Sequence, residues 1–304
     1  MAAAIVVIVL AGQKERTAEN DYPPQGQFLT IDGLRIHAHV EGTGPDLVLI
    51  HGASGSTRDM SFSLMGQLTD RYRVIALDRP GLGWSDRLPK GQDGLKEQAL
   101  ILRKAAAQLG ADSPIVLGQS YGGGVALAWA LDAPESVSGL VLVAAVSQPW
   151  STGLPRFYKV TSSRLGQIFI VPLMTAFVSE DRVNSALIEI FAPQAVPEGY
   201  GDYIGAGLTL RRKTLIANAD QRARLKADII AQYERYPAIK LPVEILHGTT
   251  DTTVSFDIHA VPLSQQIEGA VLTALPGQGH MPQHTAQPDI LRAIDRVSER
   301  AGLR

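Results

Sequence analysis

Short apolar runs recur along this chain at spacings that suit strands alternating with helices. Phe28–Ile31 and Leu34–Val40 read as two strands, and the Asp32-Gly33 pair between them is a strong hairpin signal. Leu47–Ile50, Val74–Leu77 and Ile115–Leu117 are unbroken apolar runs, as expected of strands buried on both faces of a parallel sheet. Further strands are expected at Leu140–Ala144, Val243–Leu246 and Val271–Leu275. Thr57–Leu68, Leu95–Leu109, Val125–Ala130 and residues 288–301 carry helical patterns, with Gly110 as a stop signal for the second. This alternation predicts an α/β fold: a mostly parallel central sheet with helices on both faces.

The pattern changes after Ala145. Residues 148–238 hold helical stretches interrupted by Pro155, Pro172, Pro193 and Pro197, with no strand of comparable strength. The expected organisation is a core of residues 28–147 and 239–304, with a helical cap at 148–238 inserted after the sixth strand. Within the cap, Leu165–Val171 and Leu173–Val178 are unusually apolar for a surface insertion. They are expected either to roof an apolar pocket above the active site or to form the cap's own core.

Residues 1–27 form a separate apolar segment and linker. Ala2–Ala11 is unbroken apolar sequence, too short for a spanning helix of roughly 20 residues. It lacks the positive start of an export signal, and Gln13 stands where a lipoprotein site needs cysteine. Two readings stay open: export or membrane association through residues 2–12, or a tail packed on the domain of a cytoplasmic chain. Lys14–Gln27 is polar, bears proline and reads as a linker.

Composition narrows the chemistry. The 304 residues are 45% hydrophobic and 19% charged, the balance of an ordinary globular protein. A net charge of −2 without long basic runs gives no footprint for nucleic acid. There is no cysteine, which excludes disulfides, thiolate catalysis and cysteine-ligated metals.

The chemistry centres on Gly118-Gln119-Ser120-Tyr121-Gly122, between a strand and a helix. Gly-x-Ser-x-Gly in that context is a nucleophile elbow, a sharp turn that lifts one serine hydroxyl above the sheet. In a chain with 29 glycines the pattern alone decides little. A hydroxyl nucleophile also needs a base, and the base needs an orienting acid. Past the later strand ends stand Asp251, in His247-Gly248-Thr249-Thr250-Asp251, and His280, in Gly277-Gln278-Gly279-His280. They follow Ser120 in the chain order nucleophile, acid, base. The oxyanion donors are expected to be the backbone N–H groups of Tyr121 and of Ala53, the latter in the His51-Gly52-Ala53-Ser54-Gly55 loop.

Each assignment has a competitor. Asp251 could cap the following helix, and His284 lies one helical turn beyond His280. His280 and His284 also have metal-ligand spacing on a helix, but no accompanying acidic motif, and no metal or cofactor is expected. His51 reads as a loop-bracing residue. His37 and His39 read as a surface pair on one strand face, and His259 receives no role. Asp78-Arg79-Pro80-Gly81-Leu82-Gly83-Trp84-Ser85 reads as a structural loop beside the active-site mouth, since its glycine spacing fails the dinucleotide pattern.

Taken together, His51-Gly52, Asp78-Arg79-Pro80-Gly81-x-Gly83-x-Ser85, Gly118-x-Ser120-x-Gly122-Gly123, His247-Gly248-x-x-Asp251 and Gly279-His280 resemble the α/β-hydrolase fold superfamily from about residue 28 onward. The resemblance implies a cofactor-free serine hydrolase with a helical cap. Epoxide hydrolases and haloalkane dehalogenases share the layout but carry aspartate where this chain has Ser120. Cofactor-free haloperoxidases usually follow the elbow serine with methionine or threonine, where this chain has Tyr121.

The expected activity is hydrolysis of a small, apolar carboxylic ester or related acyl compound. C–C bond hydrolysis and perhydrolysis on the same residues are the alternatives, with a non-catalytic binding protein as a different class. A cap cation such as Arg211 or Arg212 over the serine would favour an acidic substrate.

Overall fold

The computed structural model describes residues 2–304. Its eight strands are β1 (Gln27–Ile31), β2 (Leu34–Glu41), β3 (Asp46–Ile50), β4 (Arg73–Leu77), β5 (Ile115–Gln119), β6 (Gly139–Val143), β7 (Val243–Gly248) and β8 (Val271–Leu275). They form one sheet in the order β1-β2-β4-β3-β5-β6-β7-β8. The β1–β2 and β2–β4 pairs are antiparallel, and every other pair is parallel. All eight strands stand where the apolar runs place them. At the hairpin, Asp32 and Gly33 both adopt positive φ, the backbone that a two-residue turn needs.

Strand burial follows position in the sheet. β5, β6 and β7 are buried throughout, whereas the edge strand β8 is half exposed. Successive residues of a central strand feed opposite faces. Val48 and Ile50 join the core under α3 (Leu95–Gln108) and α4 (Tyr121–Asp132). Leu47 and Leu49 join the core under α2 (Thr57–Ser61) and α13 (Gln287–Arg300). This period of two, with both faces apolar, is why these strands show no polar alternation in sequence.

The topology fixes where the loops meet. β4 pairs with one side of β3 and β5 with the other. The chain therefore reverses its winding at β3, and the loops at the carboxyl ends of β3 and β5 flank the crevice where open α/β sheets bind ligands. Those loops carry Gly52-Ala53 and Ser120. Asp251 and His280 follow β7 and β8 at the same edge.

Between β6 and β7 the chain is helical: α5 (Arg156–Thr161), a π-helical turn at Gly166–Ile170, α6 (Val171–Phe177), α7 (Glu180–Phe191), α8 (Tyr200–Ile204), α9 (Ala206–Thr209) and α10 (Arg212–Gln232). The remaining helices, α11 (Phe256–Gln266) and α12 (Pro282–Thr285), belong to the later part of the sheet.

The N-terminal stretch departs from the sequence reading. Ala2–Asp21 is one helix, α1, so Lys14–Asp21 is not an extended linker. Ala11 and Ala18, seven residues apart, are buried where α1 packs along α6 and α9. The polar residues that suggested a linker are spent on ion pairs instead: Glu15 to Arg212 at 2.6 Å, and Glu19 to Arg211 at 2.9 Å and Lys213 at 3.0 Å. No described helix is long and apolar enough to cross a membrane. Arg211 is almost fully buried, and its other partners are the carbonyls of Leu208 and Gly83. Removing its carboxylate leaves a buried charge half-compensated, so Glu19→Ala should lower unfolding free energy by about 2 kcal/mol in a urea titration. A change within error would mean that α1 does not hold Arg211 in place.

Candidate active site

Ser120 is one of four non-glycine residues with positive φ among the described residues, at φ +52° and ψ −116°. A non-glycine residue in that region persists only where its surroundings over-determine it. Here its N–H donates to Val143 O at 2.9 Å, and its carbonyl accepts from Gly123 N at 3.0 Å and Val146 N at 3.1 Å. Glycine at 118 and 122 lets the crossing succeed. A Cβ at Gly118 would overlap the Gly122 carbonyl, and one at Gly122 would overlap the Ile50 carbonyl at the end of β3.

His280 reaches this serine. Its Nε2 lies 2.9 Å from Ser120 Oγ, and its Nδ1 lies 2.7 Å from Asp251 Oδ2. A carboxylate only accepts, so Nδ1 carries the proton and Nε2 is free to accept from the serine hydroxyl. Asp251 Oδ1 in turn accepts from Thr253 N at 2.8 Å and Val254 N at 2.9 Å. Burial pushes the Asp251 carboxyl up, but hydrogen bonds from His247, His280 and Val254 outweigh it and hold the group well below the usual carboxylate range. The capping alternative falls away, since α11 starts at Phe256 with Ser255 before it. His284 points elsewhere: its Nε2 meets Asp59 Oδ1 at 2.9 Å, and Tyr200 OH donates to the same oxygen at 2.7 Å. The two histidines one turn apart thus serve different carboxylates rather than a common ligand.

The Gly52-Ala53 loop is held from below. Arg79 donates from Nε to His51 O at 3.0 Å and from one terminal nitrogen to Gly52 O at 2.9 Å. Its guanidinium also lies over the Tyr121 ring, 4.2 Å from the centroid. One buried cation therefore spans both segments expected to donate to an oxyanion. The N–H of Tyr121, in the first turn of α4, has no acceptor within its helix. Burial brings Arg79 down only to about 10, so it stays charged at neutral pH. His51 braces the same loop: its Nε2 accepts from Arg79 N at 3.0 Å, which leaves Nδ1–H to donate to Gly52 O at 2.9 Å.

A sequence profile of the alpha/beta hydrolase fold matches residues 45–287. This chain belongs to that family. The 2-hydroxymuconate semialdehyde hydrolase of Pseudomonas putida is 30% identical over 280 residues, covering 88% of this chain and 91% of that protein. Haloalkane dehalogenase 2 of Mycobacterium tuberculosis is 26% identical over 283 residues, covering 90% and 94%. An alpha/beta hydrolase fold protein from Burkholderia ambifaria superposes with a TM-score of 0.73 at 25% identity, over 88% of this chain and 96% of that one.

Several residues of this α/β hydrolase sit otherwise than the sequence reading placed them. His37 is no surface residue: it is buried against Asp78, with Nδ1 2.7 Å from the carboxylate. β2 lies beside β4, and Asp78 follows β4 directly, so the inward face of β2 meets that carboxylate. Arg211 and Arg212 are committed to Glu19 and Glu15 and are not poised over Ser120. Phe169 and Phe177 neither roof a pocket nor fill a core, being 61% and 60% exposed. The inward positions of that stretch are the smaller Gly166, Val171, Thr175 and Ala176.

Sequence reasoning also passed over polar residues of the helical segment that grip the loops. Asn218 Oδ1 accepts from Ser54 N at 3.0 Å, and Gln194 Oε1 accepts from Gly279 N at 2.8 Å. His259 takes N–H groups from Ser147 and Gln148, where that segment leaves the core. Isolated Asn, Gln and His residues carry no local pattern, so only the fold reveals these contacts.

Two buried histidines make stability depend on pH. Burial, then the Arg79 charge, pushes His51 down from 6.5 to about 4, and burial with neighbouring His247 does the same to His259. Below the unfolded value near 6.5 the unfolded chain takes up these protons and the folded chain does not. Their contribution is complete above that pH and is lost as pH falls towards 4, on the order of 3 kcal/mol each. Urea unfolding across that window should show the decline, and His259→Gln should flatten part of it. A flat wild-type profile would mean that both histidines charge freely in the folded protein.

Proposed function

We propose that this α/β hydrolase is a serine hydrolase of carboxylic esters or related acyl compounds. The observation that carries the reading is the continuous relay from Ser120 Oγ through His280 to Asp251, at 2.9 and 2.7 Å. His280 Nε2 takes the hydroxyl proton as Ser120 Oγ bonds to the acyl carbon. The carbonyl electron pair moves onto oxygen, where the N–H groups of Ala53 and Tyr121 receive the charge. The intermediate collapses, His280 protonates the departing alcohol, and Ser120 keeps the acyl group. Water, deprotonated by His280, then releases the acid. Asp251, ionised throughout, fixes the imidazole tautomer and stabilises the imidazolium. Arg79 is a positioning residue in this scheme: it fixes the carbonyls of His51 and Gly52, so the Ala53 N–H stays aimed at the oxyanion.

The resemblance to a semialdehyde hydrolase supports a second reading, C–C bond hydrolysis by the same serine. The pairing of Arg211 and Arg212 with α1 favours the ester, because neither guanidinium is free to receive an acidic substrate. The dehalogenase relative lends less, since dehalogenases of this layout use aspartate at the position of Ser120.

Ser120→Ala and His280→Ala should each lower turnover of p-nitrophenyl esters by a factor on the order of 10⁴–10⁶ while the unfolding midpoint holds. Near-wild-type activity in Ser120→Ala would remove that serine from the mechanism. Asp251→Asn should keep the geometry yet lose about 10⁴ in kcat through the wrong tautomer. A loss of only a few-fold would point to a different acid.

The ester and C–C readings separate in one comparison. The wild-type enzyme should turn over uncharged esters with a higher kcat/KM than a dienoate-type diketone. The reverse order would favour C–C cleavage, and failure of a fluorophosphonate probe to label Ser120 would return the protein to the non-catalytic class.

A further inference from the structure

Outside the candidate active site, the feature with least explanation is a large apolar surface built from two separate parts of the chain. Leu165, Phe169, Leu173 and Phe177 recur every fourth residue through the π-helical turn and α6, and Leu165, the most exposed, shows 69% of its surface. Four-residue spacing stacks these side chains along one helix face. α1 packs beside α6, and its first half exposes Ile5, Val6, Ile8 and Val9. Soluble monomers rarely leave contiguous apolar surface of this kind open to water.

We infer that α1 and the Leu165–Phe177 stripe form one face that seats this protein on an anionic lipid bilayer. Charge identifies the occupant. Residues 2–14 and 149–179, which build the face, contain Lys14, Arg156, Lys159 and Arg164, and the first acids after residue 179 in sequence, Glu180 and Asp181, open α7. None of these four cations has a carboxylate partner among the described residues. The first two glutamates of α1, Glu15 and Glu19, are turned inward onto Arg211, Arg212 and Lys213. An apolar centre with Lys14, Arg156, Lys159 and Arg164 around it matches acyl chains beneath anionic headgroups.

A second copy of the chain fits poorly. Two-fold packing of this face on itself would bring these four cations of one copy towards the same four of the other. No helix among the described residues is long and apolar enough to cross a membrane, and both parts of the face lie on the surface of the fold. The inference is independent of the reaction: it concerns where the enzyme works, and its test reads binding, not turnover.

The experiment is flotation of the full chain with vesicles of phosphatidylcholine alone and of phosphatidylcholine with phosphatidylglycerol. Binding is expected to the mixed vesicles, weakening with added salt. Phe169→Asp with Phe177→Asp should lower the partition coefficient at least about tenfold, and so should Ile5→Asp with Val9→Asp, because each pair removes half of the apolar face. Lys159→Gln with Arg164→Gln should lower it about fivefold per charge on the mixed vesicles alone. All these side chains lie outside the active site, so ester turnover in solution and the unfolding midpoint should hold and show that the variants are folded. Failure of the wild-type chain to float with either vesicle overturns the inference. So does a dimer in light scattering that these variants make monomeric. Loss of flotation from the α1 pair but not from the Phe169 and Phe177 pair overturns the joint face, leaving α1 to act alone.

Discussion

The site depends on holding Ser120 in a backbone conformation that it would not choose. At φ +52° the residue is strained, and three main-chain hydrogen bonds to β6, α4 and the segment after β6 keep it there. The strain has a use. It turns the chain from strand to helix within one residue, so the hydroxyl projects above the sheet while the first N–H of α4 stays free. Much else in the neighbourhood follows from tolerating that turn, from the missing side chains at Gly118 and Gly122 to the close approach of the Ile50 carbonyl.

Under the turn lies a layer of buried charge that makes the loops rigid. Asp78 accepts from Thr57 N at 2.6 Å and Trp84 N at 2.8 Å and pairs with His37. Arg79, its neighbour, ties the His51-Gly52 carbonyls to the Tyr121 ring and to Gln98 and Gln221. Burying these charges is costly unless each is saturated with partners, and here both are. The Asp78–Ser85 loop is therefore structural in a particular sense: its two charged residues set the floor on which oxyanion donors are expected to sit.

How much was legible in the sequence follows from the range of the forces involved. The strands were readable because burial on both faces writes an unbroken apolar run, as at Leu47–Ile50. Ser120, Asp251 and His280 could be singled out because each follows a strand end with glycine nearby, and chain order supplied the rest. Long-range pairings were not readable. Nothing local distinguishes Glu15 and Glu19 as partners for arginines 197 and 192 residues away, so a packed helix looks like a linker. His37 misled for the same reason: alternation gives its strand face but not which neighbour covers it. Phe169 and Phe177 misled because apolar residues are expected to face inward, and that expectation runs one way only.

The helical segment between β6 and β7 shows why that last expectation failed. Its contacts with the loops are largely polar: Asn218 and Thr209 on Ser54, Gln194 on Gly277 and Gly279, Gln221 on Arg79. Loop backbone presents N–H and C=O groups that need partners, so the surface that covers it must be polar at those points. Its large apolar residues along Leu165–Phe177 are displaced to the outer side, where α1 covers only part of them. Elsewhere the same segment packs inward in the ordinary way, with Leu225 and Ile229 in the core under α3 and α4 and Phe191 and Tyr200 against Met281, so the outward turn is confined to Leu165–Phe177. A single exposed apolar side chain needs no partner, but a stripe of them along one helix face is the surface that the proposed seating on a bilayer would cover.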